Sequence, residues 1–186
     1  MSNYTNLYTN FKQKAEAISA QVFRASSMSE ANELITNLLK EYNAHKVVLS
    51  HSSLSRTGKL DEALVEQGFQ VHTTNLRKEA PTADVGISQL DFAIAETGTL
   101  AQDASNVDSR LVSTLPLIHV ALVPIEALNA TFGEAMTTLY NGGSVPGYIN
   151  FITGPSRTSD IERVLTIGVH GPEKLLIVFV DQGGQA

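Results

Sequence analysis

Apolar residues first recur at helical spacing. Leu7, Phe11, Ala15, Ile18 and Val22 return every three or four positions, which predicts one buried helix face reaching about Arg24. Ser27-Met28-Ser29-Glu30 then reads as a capping box, and Leu34, Ile35, Leu38 and Leu39 form a second stripe, so the segment 1–42 is expected to be helical. The period then shortens. Lys46–Ser50 is a β-branched run, followed by a helical stretch with Leu60, Leu64 and Val65 that closes at Gly68, and Phe69–Val71 is the next strand. Beyond Pro81 the pattern predicts strands at Val85–Ile87, Phe92–Ala95, Ile118–Val123, Tyr148–Thr153 and Leu175–Val180, with helices near Thr131–Tyr140 and Thr158–Ile167.

The run Leu117–Val123 is apolar on both faces, the signature of a strand covered by helices on both sides of a mostly parallel sheet. The expected fold is therefore α/β: a three-layer, open, mostly parallel sheet with an N-terminal helical segment. At 186 residues the chain suits one domain with a sizeable core, its motif-bearing part spanning 83–181. Asn141–Gly147 is expected to be a mobile connector. It lacks the lysine and spacing of a P-loop, and no G-x-G-x-x-G occurs, so no recognisable motif encodes a nucleotide or any other cofactor.

Charge and composition narrow the function classes. Hydrophobic residues make up 42% and charged residues 17%, ordinary for a globular chain, and the net charge is −6. The thirteen Lys and Arg are scattered along the chain, so no basic stripe favours nucleic acid. Cysteine is absent, which removes disulfides, thiolate nucleophiles and Cys-ligated iron–sulfur clusters from this chain. The five histidines show no close metal spacing, so no metal site is expected. The N-terminus has neither a basic nor an apolar signal region, and the apolar runs are strand-sized, which predicts a cytoplasmic protein without membrane insertion.

Chemistry-bearing groups gather in a few segments. In Thr153–Asp160 a strand would end in a Gly-Pro turn and lead through hydroxyls into a helix, so Gly154, Ser156, Arg157 and Thr158 could converge on a carboxylate or phosphate. Equally, Ser156 or Thr158 could simply cap that helix, with Arg157 paired to Asp160 or Glu162. In Asp91–Thr99, Glu96 directly follows an apolar strand; burial would raise its pKa and suit it to acid–base or nucleophilic work, with Thr97, Gly98 and Thr99 beside it. The alternative is a turn in which Glu96 is solvated and Gly98 supplies a positive φ. Arg110 could anchor an anion or pair with Asp103 or Asp108, and His119 reads as a hydrogen-bonded core residue. His170, in a glycine-flanked loop, could act as acid or base, or the loop could serve geometry alone.

Taken in order, Ile94–Leu100, Arg110-Leu111 with Leu115-Pro116 and His119-Val120, Ile152–Glu162 and Gly168–Pro172 resemble the LUD-domain (lactate utilisation protein C) family. The Gly-Pro-Ser-Arg-Thr and Gly-Val-His-Gly-Pro strings are the specific ones, and Ser88 stands where a threonine is expected. The resemblance implies the sugar-isomerase and CoA-transferase-like fold, and a role in bacterial L-lactate oxidation to pyruvate beside iron–sulfur partner proteins. In that reading Glu96 or His170 handles a proton, while a small carboxylate or phosphorylated metabolite is held by Thr97, Gly98, Thr99, Arg110, Gly154, Ser156, Arg157 and Thr158. Two other readings stay open: a non-catalytic assembly or regulatory partner, and an acyl-transfer enzyme in which Glu96 attacks a thioester.

Overall fold

A computed structural model describes residues 2–141, 146–158, 166–167 and 170–181. In chain order the elements are α1 (Ser2–Ala17), β1 (Gln21–Ala25), α2 (Met28–Glu41), β2 (Lys46–Leu49), α3 (Ser53–Thr57), α4 (Leu60–Glu66), β3 (Gln70–His72), α5 (Leu76–Glu79), β4 (Val85–Gln89), β5 (Phe92–Ile94), β6 (Thr99–Asp103), α6 (Val107–Thr114), β7 (Ile118–Pro124), β8 (Leu128–Asn129), α7 (Phe132–Asn141), β9 (Ile149–Ile152), β10 (Arg157–Thr158), β11 (Thr166–Ile167) and β12 (Lys174–Val180). The central sheet runs β1-β12-β7-β4-β2-β3, and every neighbouring pair in it is parallel. The fold is α/β, as expected.

Alternation along the strands decides what covers each face. Val47, Val85, Ile87, Val120, Leu122, Leu176 and Val178 point one way and pack against Ile35 and Leu39 of α2 and Leu60 and Leu64 of α4. Ala121, Val123, Leu175, Ile177 and Phe179 point the other way, toward Phe11 and Ala15 of α1 and Leu100 of β6. Each buried Val, Leu, Ile or Phe among them contributes roughly 1.5–3 kcal/mol, so the largely covered strands β7 and β12 dominate the core. Phe179 also meets the ring edges of Phe11 and Tyr8 at 5.1 and 5.5 Å, which fixes α1 across this face. At Gly86 a Cβ would lie 2.0 Å from the Val112 carbonyl oxygen, so the missing side chain is what lets α6 rest directly on β4.

Three expectations need correction. Residues 1–42 are not one helical segment: α1 ends at Ala17, Ser19 turns at φ 71°, and Gln21–Ala25 is a strand. Val22 keeps the helical spacing by coincidence; what extends it is the parallel ladder with β12. Second, Phe92–Ile94 and Ile149–Ile152 are not in the parallel sheet but in a separate mixed sheet ordered β8-β5-β6-β9. Third, Thr158 and Thr166–Ile167 are not helical, since Arg157-Thr158 pairs antiparallel with Thr166-Ile167. Residues 159–165 lie outside the described residues, as do 142–145 of the Asn141–Gly147 connector. The capping box at α2 forms with one change: Ser27 accepts from the Glu30 N–H, but the Glu30 carboxylate takes the N–H and hydroxyl of Ser26.

Candidate functional site

One cleft collects the sequence's most specific strings. Its volume is about 320 Å³, and its wall is formed by Ser113 and Thr114 at the end of α6, by 150–154 along β9, and by Ser156 with 170–172. Because α6 leads into β7 and Pro172 precedes β12, the cleft lies beside the amino ends of these parallel strands; Glu173 N–H donates to the Leu117 carbonyl there at 2.8 Å. The His170 N–H donates to Ser156 Oγ (3.2 Å), and the Ser156 N–H donates to the Pro172 carbonyl (3.0 Å). These two bonds tie Gly-Pro-Ser-Arg-Thr to Gly-Val-His-Gly-Pro.

A third string is fastened from behind. Thr99 Oγ1 and Thr153 Oγ1 are 2.9 Å apart. Gly98 (φ +67°) and Gly154 (φ +81°) both back onto the end of α1: a Cβ on Gly98 would stand 2.5 Å from Ala15 N, and one on Gly154 2.9 Å from Ile18 O. Both positions therefore demand glycine twice over, for conformation and for space. Their role in the fold is to seat the wall of the cleft.

The candidate residues divide accordingly. Gly154, Ser156 and His170 line the cleft, and Thr99 stands one hydrogen bond behind it. The Arg157–Thr158 backbone enters β10, so the helix N-terminus expected to offer N–H groups to an anion is replaced there by a strand. Glu96 is not buried: it is exposed beside exposed Thr97, and its Oε1 accepts from the Phe132 N–H at 2.7 Å, capping α7. The apolar surroundings expected for this carboxylate are absent. Arg110 forms no ion pair with Asp103 or Asp108 among the described residues; its guanidinium lies 5.0 Å from the Tyr148 ring centroid, while its carbonyl accepts from the Ser113 and Thr114 hydroxyls. Sequence reasoning passed over Ser113, Thr114, Asn150 and Thr153 as lining residues; ordinary polar residues at element ends give no signal until the fold brings them together.

Between β4, β6 and β7 lies a buried polar trio. Ser88 Oγ is 2.9 Å from His119 Nε2, and Gln102 Nε2 donates to Ser88 Oγ (3.2 Å) and to the Gln89 carbonyl (3.3 Å). His119 is 1% exposed, and burial pushes its pKa down to about 4. It is the core residue its strand predicted. Among the described residues no group of three or more His, Cys, Asp or Glu is placed to hold a metal, and no helix is long and apolar enough to cross a membrane.

Fold and cleft together define an α/β chain whose specific strings surround a single opening. Residues 8–180 match the LUD domain, and the chain belongs to that family. It is 30% identical over 185 residues to lactate utilization protein C of Halalkalibacterium halodurans, a match covering 95% of this chain and 75% of that one. With lactate utilization protein C of Shouchella clausii it shares 42% identity over 107 residues, 56% of this chain and 47% of that protein. A crystal structure of a DUF162 family protein from Deinococcus radiodurans superposes with a TM-score of 0.66 at 20% identity, covering 96% and 98% of the two chains. The last comparison supports the fold.

Proposed function

We propose that this chain acts in lactate utilisation, as a subunit or accessory of L-lactate oxidation to pyruvate beside iron–sulfur partner proteins, and that its cleft binds a small carboxylate or phosphate-bearing anion. The observation that carries the reading is the convergence of the Gly-Pro-Ser-Arg-Thr and Gly-Val-His-Gly-Pro strings, with Thr99 behind them, on one opening. The relatives' names supply the pathway. Hydroxyls of Thr153 and Ser156 can donate to an anionic oxygen, Arg157 would bring the positive charge, and exposed His170 would handle a proton. Glu96, engaged at the α7 cap, is given no proton-transfer role. Without cysteine these residues offer no thiolate ligands to an iron–sulfur cluster, so the reading leaves such clusters to the partners.

A thermal-shift panel of L-lactate, D-lactate, pyruvate and inorganic phosphate, run on wild type, Arg157→Ala and His170→Asn, tests the reading. A ligand at a hundredfold its Kd adds about 2.7 kcal/mol, and each kcal/mol should raise Tm by roughly 2–4 °C in a domain of this size. Stabilisation of wild type that both variants lose supports the site. Equal response in all three proteins, or none in any, removes it.

A further inference from the structure

The cleft is larger and less uniform than a three-carbon acid requires. At about 320 Å³ it falls in the ~300–1,000 Å³ range of pockets that take drug-sized ligands. One part of its lining, Thr153, Ser156 and His170, is polar. Another part is aromatic: Phe151 lines the cleft with its side chain 46% exposed and touches Phe132, itself 45% exposed, with ring centroids 5.4 Å apart at 39°. Tyr148, at the other end of the strand, already has the Arg110 guanidinium as its partner. The Phe151–Phe132 pair is the platform left open.

The backbone of β9 adds a second, independent feature. It pairs with β6 on one side, and among the described residues no strand pairs with its other edge. The Ala104 N–H donates to the Tyr148 carbonyl at 2.9 Å, which fixes the phase of the antiparallel ladder. Backbone groups of Tyr148, Asn150 and Ile152 therefore turn toward β6, while the N–H and C=O of Phe151 turn toward the free edge. An adjacent donor and acceptor next to an exposed ring match the amide-type edge and the face of a planar heteroaromatic ring at the same time.

Resting on the same cleft as the reading above, we propose that it accommodates a planar heteroaromatic ring carrying an anionic tail, the chemistry shared by flavin and nicotinamide mononucleotides. The ring lies against Phe151 with its amide-type edge on that residue's N–H and C=O. The anionic group reaches Ser156 and His170.

The test titrates flavin mononucleotide, nicotinamide mononucleotide, riboflavin, L-lactate and inorganic phosphate into wild type, Phe151→Ala, Phe151→Leu and Ser156→Ala. Flavin fluorescence and calorimetry report binding, and circular dichroism confirms that each variant is folded. The expected result is binding of one mononucleotide to wild type, weakened about tenfold by both Phe151 variants, as loss of one ring–aromatic contact should give. Ser156→Ala weakens the mononucleotide and leaves riboflavin unchanged. The two mononucleotides distinguish the sources of the ring. Binding of L-lactate or phosphate without any ring ligand overturns the ring inference and leaves the small-anion reading standing; ring binding with no response to lactate does the reverse. Ring binding that ignores Phe151 places the ligand elsewhere and overturns the inference, and no binding of any probe overturns both.

Discussion

The two ends of the parallel sheet are built on opposite plans. In doubly wound sheets ligands favour the carboxyl ends of the strands where the order reverses, here between β2 and β4. At that end several polar groups are tied to one another. Ser53 Oγ and the Leu54 N–H both donate to Gln89 Oε1, Ser52 and Ser55 cap each other, and Arg24 grips Asp181 through two bonds of 2.9 and 3.0 Å. At the amino end the hydroxyls of Thr153 and Ser156 and the imidazole of His170 face an open cleft. The lesson is that a site follows from where the fold leaves polar groups around an opening, and that topology alone points to the clamped end.

The contrast can be attacked hardest through the glycines that seat the cleft wall. Gly98→Ala sets a Cβ 2.5 Å from Ala15 N at φ +67° and should cost about 3–5 kcal/mol, lowering Tm by roughly 10 °C. A change of a degree or two would show that α1 does not brace the wall.

Next in size is the acid response of the trio between the two ends. The folded pKa of His119, about 4, lies below its ordinary 6.5, so the unfolded chain takes up the proton first. The neutral imidazole's contribution is complete above about pH 6.5 and is lost as pH falls toward 4, about 3 kcal/mol in all. The unfolding free energy from denaturant melts should fall as pH drops across that window, and His119→Gln should flatten the slope of that dependence. An unchanged slope in the variant rules His119 out as its source.

Smallest is the carboxyl-end clamp. Arg24→Met should remove about 1–2 kcal/mol, because the pair is bidentate but its side chains remain 30% and 29% exposed. Ligand affinity at the cleft should not change; if it does, the two ends are coupled and the comparison fails.

Much of this architecture was legible in the chain because its signals are local. Leu117–Val123 reads as a strand covered on both faces, and Ser27 and Gly68 mark helix ends, since those patterns arise from neighbours in sequence. What escaped was decided by distant partners. Gln21–Ala25 becomes a strand only beside Leu176–Val180, and Phe92–Ile94 joins another sheet because Thr99–Asp103 folds back on it. At the site, strings around Gly154, Ser156 and His170 were readable, and the structure brings those three together. Glu96 follows the solvated-turn alternative, with Gly98 at positive φ, and what the sequence does not show is the Phe132 N–H that comes to meet its carboxylate.

The pairing of β1 with β12 also sets a timetable. Gln21 and Leu176 are ladder partners separated by more than 150 positions. At roughly 5–20 residues per second of synthesis, the first strand waits on the order of ten seconds or more for its neighbour to be made. Through that interval Phe11 and Val22 have no Phe179 or Ile177 to cover them, so the nascent chain carries an unclosed apolar flank until β12 arrives. Folding of this protein is gated by the synthesis of β12.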